Sequence, residues 1–177
     1  MNDSFQRDQF FIRYKNTTEV YWCDSPKPER VVFEDVSDLS ASRDSLQWSP
    51  LGSYLATFHA KGVILHGGDN FRECGRLGHN EVTTLNFSQN ERYALTWNGQ
   101  VGTANKDAVI VWDIPSNTSL RKFPCISKEW PSFGFSADEQ FLATLGANGI
   151  GMYVSLLILS HSFTHSLTHS LTHSFIH

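Results

Sequence analysis

The chain has 177 residues, enough for one ordinary domain, and its 40% hydrophobic and 13% aromatic content makes a packed core feasible and argues against wholesale disorder. Fourteen Lys and Arg against eighteen Asp and Glu leave a net charge of −4, which argues against a non-specific nucleic-acid binder working through a basic surface. Cys23, Cys74 and Cys125 are scattered, odd in number and never form CxxC, so neither a disulfide framework nor a zinc knuckle is expected, and reduced thiols of a cytoplasmic protein are.

Met1 to Arg7 is a polar lead without the hydrophobic stretch of a signal peptide. From residue 8 the chain reads as β-structure. Phe10 to Tyr14 and Val20 to Trp22 flank a polar Lys15-Asn16-Thr17-Thr18 turn and predict a hairpin. Ser25-Pro26-Lys27-Pro28 then punctuates the chain before Val31 to Phe33. Gln47-Trp48-Ser49-Pro50-Leu51-Gly52-Ser53-Tyr54-Leu55-Ala56-Thr57 opens a pattern that returns twice. The second copy runs from Asn86-Phe87-Ser88 to Thr96, the third from Gly134-Phe135-Ser136 to Thr144. Each is an aromatic, a serine, a four-residue polar turn, an aromatic, two small or aliphatic residues and a threonine. A short apolar run follows every copy: Gly62 to Leu65, Ala108 to Trp112 and Gly149 to Tyr153.

Trp48 and Phe87 are 39 positions apart and Phe87 and Phe135 are 48, the excess falling in a glycine-rich, polar hairpin loop from Gly99 to Lys106. Short strands repeating at roughly 40 residues predict an all-β fold, a partial WD-type β-propeller of about three to four blades over residues 8–153. A β-sandwich has no reason to repeat its sequence. An arc of this size leaves sheet faces and edges open at both ends.

Gly78-His79 precedes Trp112-Asp113 by 34 positions, the frame of WD repeats, in which a His, a turn Asp and the Trp indole form a buried network between strands. The turn acid, Asp107, stands one position too close to Trp112, so the network is expected to be incomplete. His79, Trp112 and Asp113 are read as architectural rather than ligand-binding.

Other patterns carry less. Phe133-Gly134-Phe135 has the aromatic spacing of an RNA-recognition strand, but the same slot holds Leu46-Gln47-Trp48 and Leu85-Asn86-Phe87, so it reads as a blade strand. His66-Gly67-Gly68 lacks the G-x-S-x-G elbow of an esterase, and His66 stands where Trp112 stands in the next repeat. No phosphate loop occurs. Glu34-Asp35 and Asp138-Glu139 read as solvated charge in polar turns. The sequons at Asn2, Asn16, Asn86 and Asn117 read as chance.

From residue 154 the chain becomes a Ser/Thr/His/Leu tail, which from His161 has a strict four-residue period that places five of the eight histidines at positions 161, 165, 169, 173 and 177. His at i, i+4 would suit Zn²⁺ or Ni²⁺ on a helix. A translated simple repeat is the favoured reading, and the tail is expected to be disordered. No metal, cofactor, membrane segment or small-molecule substrate is expected.

The run from Leu46 to His59, then Lys61-Gly62-Val63-Ile64-Leu65-His66-Gly67-Gly68 and Phe71, resembles the propeller of one family, the B subunits of eukaryotic translation initiation factor 3. So do Asp8-Gln9-Phe10, Trp22, Phe87-Ser88, Glu91-Arg92-Tyr93, Val109 to Ile114, and Trp130-Pro131 with Phe133. Initiation factor 2A shares the Trp-Ser-Pro blade style but fits the Gly-Gly … Phe and Trp-Pro elements less well. The resemblance implies a cytoplasmic, non-catalytic scaffold of translation initiation that binds the small ribosomal subunit, through protein and rRNA, and other subunits of the factor. It also implies that Met1 falls inside a larger propeller region and that the family pattern stops near Tyr153. The alternatives are a generic WD-type interaction domain and a non-functional truncated fragment. No contact residue is assigned. Arg72, Arg76, Lys106, Arg121 and Lys122 are candidates for rRNA or partner contacts, with solvated charge the favoured reading of each.

Overall fold

The computed structural model describes residues 8–14, 17–23, 28–31, 46–68, 71–126, 133–146 and 149–154. All regular structure among them is β-strand, arranged in four antiparallel sheets. The first holds β1 (Gln9–Tyr14), β2 (Thr17–Trp22) and β3 (Glu29–Val31). The second holds β4 (Leu46–Trp48), β5 (Tyr54–His59), β6 (Gly62–Gly67) and β7 (Arg72–Leu77). The third holds β8 (Thr84–Phe87), β9 (Tyr93–Trp97), β10 (Val109–Asp113) and β11 (Thr118–Phe123). The fourth holds β12 (Phe133–Phe135), β13 (Phe141–Gly146) and β14 (Gly149–Val154).

Within each sheet the strands lie in sequence order. The hydrophobic clusters lie between sheets. Val20 with Leu55 and Phe71 joins the first to the second. Phe58, Leu65, Leu85 and Trp112 join the second to the third. Tyr93, Val111, Phe123, Phe133 and Leu142 join the third to the fourth. A sheet packed on both faces needs apolar residues on both sides of its middle strands. β5 buries Leu55, Ala56, Thr57 and Phe58 in succession, and β9 buries Tyr93 to Thr96. Sheets stacked side by side, each a meander, form the predicted partial β-propeller.

The repeated serines build one turn three times. Ser49, Ser88 and Ser136 each accept on Oγ the N–H of the residue five positions on, Tyr54, Tyr93 and Phe141, at 2.9 Å. Each serine carbonyl also accepts the N–H of the third residue after it, at Gly52, Glu91 and Glu139. That third residue is left-handed every time, with φ of 74°, 61° and 57°. Glycine takes such a φ without strain, whereas glutamate does so at a cost of about 1 kcal/mol. Lys15, Asn16, Phe33, Glu34-Asp35, Trp130-Pro131 and the histidine tail lie outside the described residues.

Candidate interaction surface

The buried polar chemistry of the third sheet centres on Thr96. Trp112 Nε1 donates to Thr96 Oγ1 at 2.8 Å, and His79 Nδ1 lies 2.7 Å from the same oxygen. With the indole as donor, the hydroxyl proton can go to Nδ1 or to the Ile110 carbonyl oxygen 3.5 Å away, according to the His79 tautomer. Nε2 is buried without a hydrogen bond of good geometry among the described residues. Burial holds the His79 pKa below the ordinary imidazole value, and the backbone and carboxylate of Asp107 offset part of that.

Thr96, and not the turn aspartate, is thus the bridge between His79 and Trp112. Asp107 is exposed, and its Oδ2 accepts from Lys122 Nζ at 2.7 Å. Asp113 lies outside the network and works in the next turn. Its Oδ2 accepts from the Ser116 N–H and hydroxyl, and its Oδ1 lies 3.6 Å from Arg92 Nε.

The second sheet holds a variant of the same arrangement. Thr57, paired in register with Ile64 as Thr96 is with Ile110, lies 2.9 Å from His59 Nε2 and 3.1 Å from His66 Nε2. His66 occupies the Trp112 position, since Leu55 pairs with His66 as Ala94 pairs with Trp112. A β-bulge sits at each of these places, between Leu65 and His66 and between Val111 and Trp112. Burial pushes the His66 pKa down to about 4, against an opposing pull from Glu73.

The five basic candidates are largely engaged locally. Arg76 forms a bidentate pair with Glu73 at 2.9 and 3.1 Å, Lys122 holds Asp107, and Arg121 stands over the Phe123 ring at 5.3 Å. Arg72 and Lys106 are exposed. Among the described residues no group of three metal-ligating side chains converges, and no helix is long and apolar enough to cross a membrane.

A cleft of about 550 Å³ opens along β4, β8 and β12, lined by Gln47 and Trp48, Asn86 and Phe87, and Gly134 and Phe135. It carries no charged lining residue. At the opposite ends of β9 and β10 the inserted loop is pinned in place. Gly102 N–H donates to the Cys125 carbonyl at 2.8 Å, Trp97 Nε1 to the Gln100 carbonyl at 3.1 Å, and Asp107 N–H to Asn105 Oδ1 at 3.0 Å. Exposed Val101 and Ile126 flank the Gly102–Cys125 tie.

Of the carboxylates read as solvated charge, Glu139 departs from that expectation, while its neighbour Asp138 is exposed. Glu139 is not solvated charge: it is 8% exposed, and its Oε1 accepts the Asn90 N–H at 2.5 Å from the neighbouring sheet. Glu91, 5% exposed, does the same to the Leu51 N–H at 2.6 Å. Glutamate at the same place in two copies of the repeat is the signal that the sequence holds for this role.

No protein-family model matches the chain. It is 34% identical over 157 residues to the B subunit of eukaryotic translation initiation factor 3 from Xenopus laevis, covering 86% of this chain and 22% of that protein. The protein of the same name from Dictyostelium discoideum is 32% identical over 154 residues, covering 82% and 22%. A solved structure of a eukaryotic initiation factor matches with a TM-score of 0.73 at 19% identity, over 90% of this chain and 40% of that one, a likeness of fold alone. The chain therefore spans about a fifth of the length of these curated relatives. With its repeated blade strands and serine turns, it belongs within that fifth to the B-subunit family of eukaryotic translation initiation factor 3.

Proposed function

We propose that the chain is a non-catalytic scaffold segment of translation initiation, which contacts the small ribosomal subunit and other subunits of initiation factor 3 in the cytoplasm. The family identity across 86% of the chain carries this reading. The way reactive side chains are used supports the non-catalytic part. His66 and His79 bond to buried threonine hydroxyls, and Glu91 and Glu139 bond to backbone N–H groups. Each is spent on holding strands and turns together. In the same reading His79, Trp112 and Asp113 are architectural. Contact is made by shape at the turns, the inserted loop and the uncharged inner cleft, with basic side chains in a minor part.

The test is co-sedimentation of the full chain with purified small ribosomal subunits, alongside capture by purified subunits of initiation factor 3. Stoichiometric binding in either assay is the expected result. A chain that stays at the top of the gradient and is captured by none of the factor's subunits overturns the proposal.

A further inference from the structure

The two inter-sheet carboxylates make the same bond in the same register. In each case the left-handed glutamate, third after its serine, reaches back to the N–H of the second residue after the preceding sheet's serine. Glu91 takes Leu51, and Glu139 takes Asn90. The second sheet has Gly52 at this position, with open space around it, and so has no acceptor to offer the first sheet. Among the described residues an apolar cluster packs in that joint, with Phe11, Trp22, Leu46 and Trp48 around Val20, Leu55 and Phe71. The joint between second and third sheets has a further tie at its outer edge, where Asn117 Oδ1 accepts the Arg76 N–H of β7 at 2.9 Å.

We propose that these glutamates are coupling residues that join successive blades, so that β4 to β14 behave as one mechanical unit. The joint before β4, where glycine replaces the glutamate, is the seam at which the arc opens. A charge-assisted bond from a backbone N–H to a buried carboxylate is strong, and here the carboxylates are the buried partners while Leu51 and Asn90 are exposed. The left-handed backbone points the same way. A residue present only to make the turn is better as glycine, and Gly52 shows that the turn accepts it. Glutamate stands at φ of 61° and 57° despite that preference, and there it makes the bond across the joint.

Amide hydrogen exchange of the full chain, read by mass spectrometry, tests the proposal, because the first and fourth sheets both lie at ends of the described arc and differ in the latch. In the wild type, β2 is expected to exchange about tenfold faster than β13. Glu139→Gly is expected to bring β13 to the rate of β2, although glycine relieves the turn. Glu139→Gln, which keeps an oxygen acceptor and loses the charge, is expected to fall between. Equal exchange of β2 and β13 in the wild type overturns the proposal. So does protection of β13 that is unchanged or improved in Glu139→Gly. If Glu139→Gly gives no folded protein, an unchanged β13 rate in Glu139→Gln overturns it instead.

Discussion

Trp112 Nε1 donates to Thr96 Oγ1 at 2.8 Å in a region where both side chains are buried, so the indole has no water to turn to if the hydroxyl is lost. Thr96→Val keeps the shape and strands two groups, the indole N–H and His79 Nδ1. A loss of about 2–4 kcal/mol in unfolding free energy is expected, with Thr96→Ser recovering more than half. Urea denaturation of the three proteins checks it, and a valine variant as stable as the wild type would remove Thr96 from the centre of the network.

Asp107 is expected to behave in the opposite way. It occupies the turn-acid region of the WD frame, yet its carboxylate pairs with exposed Lys122. Exposed pairs contribute little after screening and side-chain ordering. Asp107→Ala should change stability by less than about 0.5 kcal/mol in the same denaturation series. A loss several times larger would mean that the acid supports His79 directly.

His66 predicts an acid limit. Its folded pKa of about 4 lies below the ordinary imidazole value of 6.5, so the unfolded chain takes up the proton first as pH falls. Its contribution is complete above about pH 6.5 and is lost progressively toward pH 4. Thermal melts of the wild type should drop across that window, and those of His66→Gln should drop less steeply. Parallel pH profiles for the two proteins would contradict the assignment.

Two glycines separate backbone necessity from tolerance. At Gly62 a Cβ would stand 2.1 Å from the Leu77 carbonyl oxygen, at φ of 143°, so backbone must move. At Gly78 nothing lies within 4 Å. Gly62→Ala is expected to cost at least about 3 kcal/mol or to abolish folding, and Gly78→Ala to stay within about 1 kcal/mol. Comparable midpoints for the two variants would count against the close approach of Gly62 to the end of β7 at Leu77.

The inner and middle strands are legible in the sequence because aromatic, serine, turn and aromatic recur at fixed offsets in Gln47 to Thr57, Asn86 to Thr96 and Gly134 to Thr144. The outer strands β7 and β11 are not. One face of each meets solvent, and Arg72, Glu73 and Arg76, or Thr118, Ser119 and Lys122, carry no alternation to read. Thr96 is visible as the end of a repeat, but its role depends on His79 and Trp112 converging from 17 and 16 residues away. Glu139 finds its partner 49 residues back in the chain, so its recurrence at the place of Glu91 marks the position while the partner shows only in the fold.

Ser49 to Tyr54, Ser88 to Tyr93 and Ser136 to Phe141 span the same five positions, each closed by its own hydrogen bonds, while the β9–β10 connection at the other end absorbed a long insertion and left the strands in register. Chain length is a fixed quantity on one rim of the arc and a free one on the other. New binding specificities can be grafted by lengthening hairpins on the free rim, where a single tie such as Gly102 to Cys125 anchors the addition. On the fixed rim, one inserted residue would detune a serine turn and the bond to the next blade together.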